Sequence, residues 1–119
     1  MNSKYEISTK ENREFLKASC EELLNFGHRF PSPNGGSYYL GDDGTPWKDR
    51  NRETWITCRM AHVYSLGLML GHEGSGELAD AALKGLKGEL HDEKNGGWYA
   101  GVTPEGGIVP NKQCYAHAF

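Results

Sequence analysis

The sequence predicts an all-α chain of helical hairpins joined by long loops, some of them short β-hairpins. Three observations carry that expectation. Phe15, Leu16, Cys20, Leu23, Leu24 and Phe26 recur at helical intervals. Residues 52–70 form a second run that is apolar nearly all round. Leu78, Ala82, Leu83, Leu86 and Leu90 then line one side of a third run whose remaining positions include Lys84, Lys87 and Glu89.

The boundaries follow from local chemistry. Ser8 or Thr9 caps the first helix, with Glu11 and Glu14 near its positive end, and Gly27 is placed to stop it. Residues 28–50 are rich in Pro, Gly, Ser and Asp, the composition of a loop. Within them, residues 38–40 followed by Gly41-Asp42-Asp43-Gly44 predict a short strand and turn. The second helix tolerates Gly67 and ends at Gly71. A tight link, His72-Glu73-Gly74, leads to the third helix, capped by Ser75. Gly85 and Gly88 cost that helix roughly 1 kcal/mol each relative to Ala, so packing must hold it. The second and third helices form an αα-hairpin, one inner and one outer. Residues 98–102 and 108–109, around the turn at residues 103–107, predict a β-hairpin. Residues 112–119 open another apolar helix.

A ring of hairpins needs more helices than these. The chain is therefore expected to be the N-terminal, truncated segment of a larger domain, with its second helix short of neighbours on one flank. The alternative is a complete small α-rich domain.

Composition excludes several functions. With 119 residues there is room for one domain. A net charge of −3 and a pI near 5.9 give no footprint for nucleic acid or anionic lipid. Mean hydropathy is low at −0.68, yet thirteen aromatic residues argue against disorder. Residues 1–6 lack the apolar core of a secretory signal, and residues 61–70 are too short to span a bilayer, so the expected location is cytoplasmic. Cys20, Cys58 and Cys114 are an odd, scattered set that reads as reduced packing cysteines. The five histidines include no close ligand pair, so neither a metal nor another cofactor is expected.

The second helix carries the most specific signal. Arg59 interrupts an otherwise apolar surface, and burying an unpaired charge costs several kcal/mol. Such a residue is expected to meet oxygen atoms of a carboxylate or a ligand. Trp55, Arg59 and His62 stand at i, i+4 and i+7, on one helical face. A ring, a fixed cation and an imidazole in line predict the floor of a pocket for a small polyhydroxylated molecule. The competing reading is an arginine paired to a neighbouring helix, with Trp55 as core.

The stretch WITCRMAHVYS at residues 55–65, with GGWYAGVTPEGGIVPNKQCYAHAF at residues 96–119, resembles the N-acylglucosamine 2-epimerase family, nearest its sulfoquinovose and mannose isomerase branch. Arg29-Phe30 and Tyr39-Leu40-Gly41-Asp42 fit the loop before those motifs. The likeness spans roughly residues 13–119 and about the opening third of a family member. It implies an (α/α)6 barrel, incomplete in this chain, and interconversion of aldose and ketose or epimerisation at C2 of a free monosaccharide through an enediol. Position in the motif assigns Arg59 to the sugar oxygens at the reacting end, Trp55 to a pocket wall and Tyr115 to a sugar hydroxyl. His117 is a weaker candidate for substrate contact. The acid and base histidines of the family fall beyond this segment, so the chain alone is expected to be inactive. No redox cofactor, nucleic acid or membrane partner is implied, and oligomeric state is left open.

His62 is expected to pack, and His28, His72 and His91 to sit in solvent or at helix ends. Trp98 and Tyr99 are read as loop packing, and Lys112 as a surface residue or a contact for an anionic group. Two other functions compete. A non-catalytic helical module would bind sugar weakly at most. A glycoside hydrolase needs two opposed carboxylates in the pocket, whereas Glu77, Asp80, Glu89 and Asp92 are expected to face solvent. The sequence does not distinguish isomerase from epimerase, nor one sugar from another.

Overall fold

A computed structural model of the protein describes residues 6–119; residues 1–5, most of the segment read for a signal, lie outside it. Helix α1 (Lys10–Phe26) begins at Thr9, whose hydroxyl accepts the amide N–H of Asn12 at 3.2 Å. A 3-10 turn (Gly27–Arg29) ends it. Strands β1 (Tyr39–Leu40) and β2 (Pro46–Trp47) pair antiparallel, Tyr39 opposite Trp47. Strand β3 (Arg52–Glu53) runs directly into α2 (Thr54–Met69), and α3 (Ser75–Lys87) follows. Strands β4 (Gly101–Val102) and β5 (Ile108–Val109) lead to α4 (Cys114–Ala118).

Three of these strands form a second antiparallel sheet in the order β3-β4-β5, with Glu53 opposite Gly101 and Gly101 opposite Val109. The chain is thus helix-rich rather than all-α. Pairing between β3 and β4 joins segments about fifty residues apart, and no local pattern in Arg52-Glu53 announces it.

The main packing is α2 on α3. Thr54, Thr57, Ala61, Tyr64 and Gly67 are buried along one stripe of α2 and face Ser75, Ala79, Ala82 and Gly85 of α3. Small side chains let the helices approach closely. A Cβ at Gly67 would lie 2.5 Å from Ser75 Oγ. Gly85 has a similar purpose: the backbone of Gly36 passes 2.2 Å from where its Cβ would stand, and the Gly36 amide donates to Ala81 O at 3.3 Å. The glycine that weakens α3 is what lets the long loop cross it.

Leu24, Phe30, Ala61, Tyr64, Ala79 and Ala82 make the core, with the Phe30 and Tyr64 rings stacked at 5.3 Å. Aromatic side chains of this kind stabilise by about 1.5–3 kcal/mol each when fully buried. The Tyr64 hydroxyl donates to Leu24 O at 2.7 Å and ties α1 to α2.

Several expectations need correction. Helix α2 is not buried on every side: Val63, Leu66, Leu68 and Met69 are exposed, because α3 covers only the stripe just described. The α3 cap is Gly74, at φ +77°, not Ser75. Ser75 turns inward and its hydroxyl meets Nδ1 of His72 at 2.8 Å. His72 is accordingly buried, with Nε2 3.1 Å from Asn25 Oδ1. Glu89 and Asp92 do not face solvent unpaired. Glu89 binds Arg52 at 2.7 Å, and Asp92 is buried against Lys112 at 2.7 Å. The three cysteines are free thiols. Among the described residues no helix is long and apolar enough to cross a membrane.

Candidate functional site

The first turn of α2 is held from three directions. Thr54 donates twice: its amide to Ala100 O at 3.0 Å and its hydroxyl to Tyr99 O at 2.6 Å. One turn on, the Thr57 hydroxyl donates to Glu53 O at 2.8 Å and accepts the Ser37 amide at 3.0 Å. Loop, sheet and helix therefore meet at residues 53–57. Trp55 and Arg59 project from this fixed base on adjacent turns.

Around them lies an aromatic group. The Arg59 guanidinium carbon is 5.1 Å from the Trp55 ring centroid and 5.1 Å from that of Phe119. Tyr115, from α4, places its ring 5.9 Å from Trp55 and 5.0 Å from Phe119. Rings on a guanidinium supply cation–π attraction of about 0.5–1 kcal/mol at an exposed site. None of the ion pairs among the described residues includes Arg59. Beside this group is a cavity of about 440 Å³, lined by Leu23, Phe26, Tyr38, Trp55, Arg59 and Val63 among others, with Arg59 its one charged lining residue among the described residues. That volume suits a small ligand.

Arg59 is not buried, contrary to expectation; it is exposed and lies flat against rings instead of deep among apolar side chains. The buried, acid-paired arginine of this chain is Arg52. Its Nη1 donates to Gly35 O at 2.6 Å, and its Nη2 to Glu89. His62 is exposed on the Arg59 face and does not pack inside.

His117 is engaged elsewhere. Its Nε2 accepts the Trp98 amide at 3.0 Å and its Nδ1 donates to Gln113 O at 2.9 Å, which fixes the neutral tautomer with the proton on Nδ1. With both nitrogens satisfied it acts as a latch on the loop at residues 96–98, beside a separate cleft of about 200 Å³ that Cys58, Trp98 and Phe119 also line. Trp98 packs that loop as expected, its indole N–H donating to Leu86 O at 2.8 Å. Lys112 is no free anion contact: it binds Asp92 and the Gly96 carbonyl. Burial raises the Cys58 thiol, so it is a poor nucleophile.

Sequence reasoning missed Glu53. Its Oε2 accepts the Tyr39 hydroxyl at 2.7 Å and also the Trp55 indole N–H. Burial, and then the bond to Glu53, push the Tyr39 phenol up to about 12. No motif spacing signals this, because the donors come from β1 and α2 and the acceptor from β3. Phe119 was missed for a plainer reason: it caps the end of α4, a helix too short to display a period.

A profile of the N-acylglucosamine 2-epimerase (GlcNAc 2-epimerase) family covers residues 35–119. The chain belongs to that family. It is 34% identical over 109 residues to a D-mannose isomerase of Thermobifida fusca, covering 91% of this chain and 27% of that protein. It is 31% identical over 113 residues to a D-mannose isomerase of Pseudomonas cannabina pv. alisalensis, covering 95% of this chain and 27% of that one. Its structure superposes on cellobiose 2-epimerase from Bacillus thermoamylovorans B4167 with a TM-score of 0.67 and 27% identity, over 83% of this chain and 27% of that chain. The chain thus spans about a quarter of the length of these relatives. Trp55, Arg59, Tyr115 and Phe119 all lie inside the matched segment.

Proposed function

We propose that this chain forms one wall of a sugar pocket in an enzyme that interconverts an aldose and a ketose, or epimerises a free monosaccharide at C2, through an enediol. One observation carries the reading: Arg59, unpaired by any described acid, is held between Trp55 and Phe119 at the edge of a cavity. The α-proton of a sugar is weakly acidic, so its removal leaves negative charge on the neighbouring oxygen as the enediolate forms. A guanidinium fixed in orientation stabilises that oxygen. Trp55 offers its face to the C–H side of the ring, and Tyr115 offers a hydroxyl to a sugar oxygen. His117, with both nitrogens occupied, is left out of the pocket.

The same reading takes α2 and α4 as inner helices and α1 and α3 as outer helices of an (α/α)6 barrel. It assigns proton transfer to residues other than these 119, so the chain alone binds sugar without turning it over. The exposed apolar positions Leu66, Met69 and Leu70, and the quarter-length coverage of the relatives, support it. D-Mannose is the first substrate to try, since two of the relatives it matches are D-mannose isomerases.

The test is solvent exchange. The polypeptide as the cell makes it is incubated in heavy water with D-mannose, D-fructose, D-glucose or sulfoquinovose. Deuterium is expected at C1 or C2 of at least one sugar, with Arg59→Ala lowering the rate about 10²–10³-fold. No deuterium in any of the four, or an Arg59→Ala variant with near-normal turnover, overturns the reading. Binding without exchange in that same polypeptide selects the non-catalytic module.

A further inference from the structure

We propose that Glu53 is the positioning residue of this site: one carboxylate oxygen takes both the Trp55 indole N–H and the Tyr39 hydroxyl, and so sets the angle at which Trp55 lies against Arg59. The inference rests on the sugar reading for its functional consequence and on geometry alone for the positioning itself.

Trp55 is only half-buried, and by itself its ring is free to turn about two side-chain bonds. What stops it is an acceptor for its single N–H. Glu53 supplies that acceptor from a strand rather than from the helix, two residues earlier in the chain. Its own backbone is held by pairing with Gly101 and by the Thr57 hydroxyl on its carbonyl, so the carboxylate has a rigid mount. Tyr39, which also lines the cavity, donates its hydroxyl to the same oxygen. A carboxylate bond of this kind is about twice as strong as one between neutral groups. Because Glu53 is committed to two ring donors, it does not neutralise Arg59, and the guanidinium keeps its charge for a ligand. Carboxylate, indole and guanidinium thus form a sequence in which the first fixes the second and the second seats the third.

The test uses the intact chain in solution, with the Trp55 indole N–H resonance assigned by its loss in Trp55→Phe. In the unaltered protein that N–H is expected to exchange slowly with solvent deuterium. Glu53→Gln, which keeps an oxygen acceptor, should retain most of that protection and most of the affinity for D-mannose. Glu53→Ala should lose the protection and bind D-mannose at least about tenfold more weakly, a modest share of what a misplaced contact group can cost. Glu53→Asp, whose carboxylate is drawn back by one methylene, should behave like the alanine variant and serves in its place if that variant does not fold. Unchanged indole protection in Glu53→Ala or Glu53→Asp overturns the proposal. So does lost protection with unchanged D-mannose affinity, since Glu53 would then be structural only. If the unaltered protein fails to bind D-mannose at all, the sugar reading fails by itself, and the indole measurement still decides whether Glu53 holds Trp55.

Discussion

Arg52 and Glu89, thirty-seven residues apart, meet at 2.7 Å between Nη2 and Oε2. The arginine side chain is 8% exposed and the glutamate 36%, so the pair is half shielded from water. Its second donor holds Gly35 O at 2.6 Å. Arg52 therefore ties the long loop, β3 and the end of the α2–α3 hairpin together. Replacing it with methionine leaves the Gly35 carbonyl without its donor and a partly buried carboxylate without its cation. A loss of roughly 2–3 kcal/mol is expected, read from the urea midpoint at constant slope. A change within about 0.5 kcal/mol would mark the pair as incidental.

Asp92 gives the fold an acid-sensitive point. The Lys112 ammonium first, and then the Asn95 amide N–H, hold its carboxyl well below the usual carboxylate range. A folded-state value below the unfolded one contributes stability that is present above about pH 4 and disappears as pH falls further. Lys112→Met should shrink that acid-dependent loss. Urea unfolding of both proteins at neutral and acid pH measures it, and parallel pH profiles would contradict the assignment.

Tyr64 behaves in the opposite sense at high pH. Burial pushes its phenol up to about 12, and its hydroxyl donates to Leu24 O at 2.7 Å. A raised folded-state value means the contribution is complete below about pH 10 and falls as pH approaches 12. Tyr64→Phe removes the bond and leaves Leu24 O without its donor. An expected cost of about 1–2 kcal/mol at neutral pH follows. The variant should also lose less stability than the parent between pH 10 and 12, which thermal scans across that range will show.

The His117 latch makes a prediction about the loop rather than the pocket. His117→Ala frees the Trp98 amide, whose hydrogen exchange should speed up markedly while that of Thr57 stays slow. Gly97→Ala should reproduce the effect. Its φ is +77°, and a Cβ there would stand 2.8 Å from His117 Nε2. If His117→Ala abolishes D-mannose binding with no change at Trp98, His117 belongs in the pocket after all.

Helix positions were readable because each rests on short-range chemistry. The cap at Ser8 or Thr9, the period of α1, the stop at Gly71 and the turn at residues 103–107 each depend on neighbours in sequence. The family was readable from two motifs in order. Most errors arose where a partner lies far along the chain. Arg59 was expected to be the buried arginine because α2 looks apolar all round, yet a side chain is covered only where another element arrives, and α3 arrives on the Thr54–Gly67 stripe. Arg52, in a polar stretch, gave no sign of burial because Glu89 and Gly35 are brought to it by the tertiary fold. Ser75 satisfied every rule for a cap and was diverted by His72. Helical spacing puts Trp55 and Arg59 on one face and resemblance adds Tyr115, while Glu53 needs the strand pairing to be seen.

That pairing has a consequence for variation. Opposite Glu53 stands Gly101, and a methyl group built there would press to 2.8 Å from the Arg52 carbonyl oxygen. Even alanine at 101 must lift β3, and with it the carboxylate on which the Trp55 indole rests. The tilt of the indole wall is thus open to adjustment from a hairpin outside the cavity lining, while every side chain that lines the cavity stays the same.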